Sequence, residues 1–163
     1  YEKFNLGATG VGILFTAIGA GGIMSTILLI FIGDEIKNKT KLIFLCSIVA
    51  ALSMIIFAQS DSKIISLIFL VLFSFSIINI LTLRLGLLGQ LMPKSSLGKI
   101  FSINFLSSST TIIGSSAMGI IAKSYGASIG TTIFGITILI ILFLMIIFLK
   151  SFRITIFKDQ STF

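Results

Sequence analysis

Uncharged apolar stretches recur along the chain, each long enough to cross a lipid bilayer. A spanning helix needs about 20 residues to cross a hydrocarbon core of about 30 Å. The pattern predicts five spans, at about residues 10–32, 42–59, 64–88, 100–122 and 128–149. These runs are continuous, and they are longer than the roughly 10-residue alternating strands of a transmembrane barrel. We therefore expect an all-α, polytopic membrane helix bundle that forms one membrane domain over residues 1–163.

The composition supports this class and excludes others. The chain is 56% hydrophobic and 10% charged, whereas soluble domains are about 45 to 50% apolar and about 25% charged. There is no His, and the single Cys46 cannot form an internal disulfide, so we expect no metal site and no cofactor. All five acidic residues lie outside the spans. We therefore expect no catalytic residues, and the protein is not predicted to be an enzyme.

Basic residues alternate from side to side between successive spans, which indicates topology and not nucleic-acid binding. One side has Lys37, Lys39, Lys41, Arg84, Lys94, Lys99, Lys150, Arg153 and Lys158, and the other has only Lys3, Lys63 and Lys123. The positive-inside rule then places the N-terminus of this segment outside and its C-terminus in the cytoplasm. We expect the plasma membrane, in a bacterium the inner membrane. Because the chain starts outside with no initiating Met and no leader, we expect preceding helices in a larger protein.

Small residues are concentrated in the first and fourth predicted spans. Such residues let helix backbones approach each other closely. We therefore expect these two spans to be buried in protein, and the second and fifth to face lipid. Helix packing is predicted at Gly12, Gly19, Gly22, Gly114 and Gly119.

Polar residues recur along one face of the third and fourth predicted spans. In the fourth, Asn104, Ser108, Thr111, Ser115 and Gly119 follow at spacings of four, three, four and four residues. In the third, the polar residues recur every three positions. Such a stripe either lines a water-filled path or forms hydrogen bonds between helices, and both alternatives stand. The candidate residues of a substrate pathway are Ser76, Asn79, Thr82, Asn104, Ser108, Thr111 and Ser115.

Two segments carry a family resemblance. The Gly-rich stretch from Leu6 to Gly21 resembles the eighth helix of major facilitator superfamily transporters, and Gln90-Leu91-Met92-Pro93 with Leu97-Gly98-Lys99 is similar to their link after helix ten. Within that superfamily the chain most resembles the drug and macrolide efflux branch. It resembles the last five of the twelve helices of such a transporter. The family's loop signature G-x-x-x-D-R-x-G-R-R is degenerate here, with Asp34 retained but Ile30 and Glu35 replacing the Gly and the Arg.

The resemblance implies a secondary active transporter, an efflux antiporter that exports small amphipathic molecules by alternating access. Helices eight, ten and eleven would line the central path. The implied partners are the lipid bilayer, the missing N-terminal helices of the same transporter and a small-molecule substrate. The alternative is a small stand-alone membrane protein that acts as an auxiliary or assembly subunit without transport activity. The expected cytoplasmic loop residues are Asp34, Arg84, Pro93, Gly98 and Lys99, with Arg84 either reaching the interface or contacting an anion.

Overall fold

The computed structural model describes residues 7–32, 38–91, 98, 102, 105, 114–116, 119–121 and 123–148, without the side chains of 7–9, 32, 90 and 91. Within these ranges every residue is helical except Asn38, residues 60–62 and Gly126, and no strand occurs among them. The all-α prediction is confirmed.

Four long helices make up most of the described chain. They are α1 (Gly7–Ile32), α2 (Lys39–Gln59), α3 (Lys63–Leu91) and α4 (Ala127–Phe148). Each is long and apolar enough to cross a membrane. They overlap the first, second, third and fifth predicted spans, while most of the predicted fourth span, 100–122, lies outside the described residues.

Helices α2 and α3 extend beyond the spans that the hydrophobic pattern predicts. Helix α2 begins at Lys39, so that Lys39 and Lys41 lie in its first turn. Helix α3 continues to Leu91, which places Arg84 inside a helix and not in a loop. Gly98 was also assigned to a loop, but it is helical and its carbonyl accepts a hydrogen bond from Ser102 Oγ at 3.0 Å. Long basic side chains can reach the interface from within a helix, so a charge does not mark the helix end.

The helices lie side by side in the order α1, α3, α2, α4. Helix α3 packs against both α1 and α2, and α2 packs against α4. The chain order is therefore not the spatial order. Helix α3 lies between α1 and α2, and α2 lies between α3 and α4, so these two helices form the middle of the described bundle.

The directions of the helices follow from their contacts. Helices α2 and α3 are antiparallel, because only residues 60–62 connect them. Along the α1–α3 contact, Ile18 meets Ser74 and Gly22 meets Ile78, so these two helices run in the same direction. Along the α2–α4 contact, Ala58 meets Ser128 and Ala51 meets Gly135, so these two run in opposite directions. Hence α1, α3 and α4 are parallel to one another.

Burial corrects one expectation drawn from composition. A larger share of α2 than of α1 is buried, 28% against 17%. The buried residues of α2 are Cys46, Ala50, Ala51, Ser53 and Ala58. Helix α2 therefore does not simply face lipid, and the Gly-rich α1 is the more exposed of the two. Helix α4 is mostly exposed, and its buried residues are Gly130 and Gly135.

A glycine precedes the last helix. Gly126 has φ of +90°, a conformation that costs a glycine little and other residues more. Its carbonyl accepts a hydrogen bond from the Gly130 N–H at 3.2 Å, and this bond forms the first turn of α4. Gly126 thus separates the helical residues 123–125 from α4.

Candidate substrate pathway

The polar residues of α3 do not share one environment. Ser76 and Asn79 are buried, whereas Thr82 is exposed. A spacing of three falls short of the 3.6 residues of a helical turn by about 60° per step. Thr82 therefore points about 120° away from Ser76 around the helix. The regular spacing brings two of the three predicted residues into the interior.

Ser76 is satisfied by its own helix. Its hydroxyl donates to the Leu72 carbonyl at 2.9 Å. A Ser within a membrane helix commonly satisfies its hydroxyl donor in this way, by a hydrogen bond to the carbonyl four residues earlier.

Asn79 is only half satisfied. It is 1% exposed, and its Nδ2 donates to the Phe75 carbonyl at 2.8 Å. Its Oδ1 is buried and has no hydrogen-bond partner among the described residues. A buried acceptor without a partner costs about 1 to 3 kcal/mol. Among the described residues, the Asn79 Oδ1 atom is therefore a buried acceptor without a donor.

A second buried oxygen without a described partner lies on α1. Ser25 is 0% exposed, and its Oγ has no hydrogen-bond partner in the described chain. A Cβ added at Gly21 would lie 3.0 Å from the Phe75 backbone nitrogen. Ser25 and Asn79 each follow these contact residues by four positions. Because α1 and α3 are parallel, Ser25 and Asn79 lie within about one helical turn of each other in depth.

The sequence prediction did not include Ser25 in the site. The available signal was the run Ala17, Gly21 and Ser25, three small residues at spacings of four. All three are buried. They form the face of α1 that packs on α3.

The glycines predicted to pack against other helices do not lie at the closest helix contact. A Cβ added at Gly12, Gly19, Gly114 or Gly119 would meet no atom within 4 Å, and one at Gly22 would make an ordinary contact with Ile78 Cγ1 at 3.6 Å. At Gly21, by contrast, an added Cβ would overlap the Val71 carbonyl oxygen and lie 2.9 Å from Ser74 Cβ. The structure thus places the close approach of α1 and α3 at Gly21.

An apolar groove of about 400 Å³ runs along α1 beside this contact. Its lining is mostly aliphatic and consists of Gly19, Gly22, Ile23, Thr26, Ile27 and Ile78. The Thr26 hydroxyl donates to the Gly22 carbonyl at 3.0 Å and so is already paired. The groove therefore offers an apolar surface, and neither Ser25 nor Asn79 is among its lining residues.

Several predicted residues cannot be placed in this site. Asn104, Ser108, Thr111, Asp34, Pro93 and Lys99 lie outside the described residues. Ser115 is helical and exposed, and Arg84 is exposed within α3. In the described part of the chain, no group of three or more His, Cys, Asp or Glu side chains could hold a metal ion. The described site thus consists of uncharged groups on α1 and α3.

Comparison with known proteins assigns the family. No curated protein and no solved structure matches the chain. The family model for transmembrane secretion effectors matches residues 2–160. A match of this length covers nearly the whole chain, including all four described helices. The chain therefore belongs to the transmembrane secretion effector family, a family of major facilitator type.

Proposed function

We propose that this chain is part of a secondary active transporter that exports small amphipathic molecules by alternating access. The observation that carries the proposal is the buried Asn79 Oδ1 in the middle of α3, which has no partner among the described residues. Ion or substrate sites of such transporters lie near the middle of the membrane, at the contact between moving helices. The family membership supports transport as the general activity.

We further propose that the chain forms five spans of the C-terminal half of such a transporter, in the drug-efflux branch. The directions of the described helices support the number. The C-terminal end of α3 and the N-terminal start of α4 lie at opposite ends of the bundle, because these helices are parallel. A connection between them has to return across the membrane, which agrees with a span at 100–122. The expected cytoplasmic C-terminus follows from the same arrangement and the charge pattern.

Transport measured in the full-length protein tests the function. Cells that express it are loaded with the lipophilic dye Hoechst 33342, and dye efflux is normalised to the amount of protein in the membrane. The variant Asn79→Leu keeps the number and branching of the side-chain heavy atoms and removes the amide oxygen and nitrogen. We expect normalised efflux to fall about tenfold, as the loss of one buried hydrogen bond to the substrate implies.

Ser47→Ala is the matched control. The Ser47 hydroxyl donates to the Ile43 carbonyl of its own helix at 2.8 Å, so its removal changes polarity without touching the site. Its normalised efflux should equal that of the unchanged protein. If Asn79→Leu lowers only the abundance and leaves normalised efflux intact, Asn79 holds helices together and the pathway assignment is wrong.

A further inference from the structure

Two basic residues lie at the same depth on the packed helices α2 and α3. Lys39 is the first of the 21 residues of α2. Arg84 is in the last third of α3, which begins at Lys63. Because the helices are antiparallel and joined at residues 60–62, both residues lie about 30 Å from the joined end. This distance is about the thickness of the hydrocarbon core, so both charges lie at the level where lipid headgroups begin.

Lys39 lies on the face of α2 that packs on α3. Helix α2 packs on α3 and α4, and it meets α4 at Ala51 and Ala58. The buried Cys46 lies about 140° around the helix from Ala51 and therefore faces α3. Lys39 precedes Cys46 by about two helical turns, which places it on the same face.

Arg84 lies on the face of α3 that packs on α2. Ser66 is buried on this face, and its hydroxyl donates to the carbonyl of Ser60, the C-cap residue of α2, at 3.5 Å. Arg84 follows Ser66 by about five complete turns, so the two point the same way. Packed helices have axes about 8 to 10 Å apart, so a group between Lys39 and Arg84 can be reached by both side chains.

We propose that Lys39 and Arg84 together bind the phosphate of one anionic phospholipid, such as phosphatidylglycerol. The proposal does not depend on the transport function. Neither α2 nor α3 contains an Asp or Glu. Among the described residues the only acid is Asp61, which lies at the opposite, joined end of the helix pair. The Arg84 guanidinium can bind two phosphate oxygens at once, and the Lys39 ammonium adds a second charge.

The surroundings of Arg84 favour a lipid over a soluble anion. Leu81, about one turn deeper in the membrane, is 41% exposed, and Leu85 is 36% exposed. The acyl chains of a lipid whose phosphate lies at Arg84 would cover this apolar surface, whereas a soluble anion would leave it open. Basic side chains between membrane helices are a known kind of site for anionic headgroups.

Quenching of a local tryptophan by brominated lipid tests the inference. Residues 1–163 contain no Trp. Leu81→Trp is introduced into the full-length protein, with any Trp outside these residues changed to Phe, and Leu85→Trp is a second reporter. In mixed bilayers of phosphatidylglycerol and phosphatidylcholine, with one of the two brominated, quenching gives their relative binding constant at this position. Each basic residue adds about fivefold, so we expect phosphatidylglycerol to be preferred about 25-fold.

Three variants locate the preference. Lys39→Gln and Arg84→Gln should each lower it about fivefold, and the double variant should bring it close to one. Lys41→Gln is the matched control, because Lys41 is in the same turn of α2 and exposed, but it lies about 200° around the helix from Lys39. The preference of this control should stay within about twofold of that of the unchanged protein.

The outcomes decide between a lipid site and its alternatives. A preference that falls in Lys39→Gln and Arg84→Gln but not in Lys41→Gln supports the site. Absence of any preference in the unchanged protein overturns it, and so does an equal loss in all three variants, since the summed charge alone would then attract the lipid. A preference that arises only after Asp34→Asn and Glu35→Gln also overturns it, because those carboxylates would then hold the two cations.

Discussion

At the scale of single residues, Gly21 decides how closely α1 and α3 approach. Its missing side chain lets the Val71 carbonyl oxygen, Ser74 Cβ and the Phe75 nitrogen fill the space that a Cβ would take. Two of these three atoms belong to the α3 backbone, which cannot turn aside as a side chain can. Gly19, two residues earlier, faces the groove.

The two glycines should therefore respond oppositely to the same change. We expect Gly21→Ala to lower the free energy of unfolding by about 1 to 3 kcal/mol, because it forces the helices apart. Gly19→Ala should be neutral or stabilising by up to about 1 kcal/mol, since Ala is the better helix former and meets no atom. Unfolding by SDS titration in mixed micelles measures both. Equal destabilisation by the two would show that Gly21 is not the point of close contact.

A third glycine differs in what surrounds it. A Cβ added at Gly135 of α4 would lie 2.6 Å from Ile55 Cγ1 and 3.1 Å from the Ala51 carbonyl oxygen. The closer atom belongs to a side chain, which can shift further than the backbone atoms at Gly21, although the β-branched Ile55 keeps one preferred χ1 rotamer in a helix. We expect Gly135→Ala to cost less than Gly21→Ala, about 1 kcal/mol or less in the same titration. A larger cost at Gly135 would mean that Ile55 cannot move.

At the scale of helices, the contacts of the two outer helices, α1 and α4, have the same two features: a glycine at close approach and a serine hydroxyl that donates across the contact. The α1–α3 pair combines Gly21 with the Ser74 hydroxyl, and the α2–α4 pair combines Gly135 with the Ser128 hydroxyl, which donates to the Ala58 carbonyl. Apolar burial drives membrane helices together only weakly, because lipid is equally apolar. Close packing and hydrogen bonds across helices replace it.

Removing either bridging hydroxyl should loosen one pair only. We expect Ser74→Ala and Ser128→Ala each to lower the free energy of unfolding by about 0.6 to 1.7 kcal/mol. In the double variant the losses should add within about 0.5 kcal/mol, because the two bonds lie on different helix pairs. Thr137→Ala is the control, since its hydroxyl donates to the Ile133 carbonyl of its own helix at 2.8 Å. Losses no larger than that of the control would show that the bridges contribute nothing.

At the scale of the whole molecule, helix directions and charges agree. Helices α1, α3 and α4 run in one direction and α2 in the other. The lysines at the start of α2, Lys39 and Lys41, thus lie at the end of the bundle opposite to Lys63, at the start of α3. The lysine-rich starts and ends of successive helices thus alternate between the two ends of the bundle, which is the pattern from which the positive-inside rule assigns orientation.

We expect Lys39 on the cytoplasmic side and Lys63 and Lys123 on the other, with Lys94 and Lys158 on the side of Lys39. Single cysteines at these positions, treated in intact cells with a membrane-impermeant maleimide, measure the sidedness. Only positions 63 and 123 should be labelled from outside. Cys46 is buried, so its background labelling should be low. Outside labelling at position 39 would reverse the proposed orientation.

The hydrophobic pattern was sufficient to predict the helices, because crossing a bilayer requires a long uncharged run with all backbone hydrogen bonds made internally. The bounds of α4 differ from the predicted 128–149 by one residue at each end. Errors of three residues occur at the start of α1, at the start of α2 and at the end of α3. For the site, the sequence predicts Ser76 and Asn79 as pathway residues. The structure buries both, and their role in a pathway stays a prediction. Thr82 was wrongly grouped with them, since a spacing of three does not keep to one face.

The sequence by itself determined that this is a helical membrane protein, and where four of its helices lie. Only the tertiary structure decided which faces meet. In water an amphipathic stripe marks the buried face of a helix, but a helix in lipid is apolar all round, so the sequence pattern carries no such mark. Gly21 and Gly19 are therefore alike in the sequence and different in the structure. The lateral order of the helices, the burial of α2 and the burial of Ser25 and Asn79 all depend on contacts between residues distant in the chain.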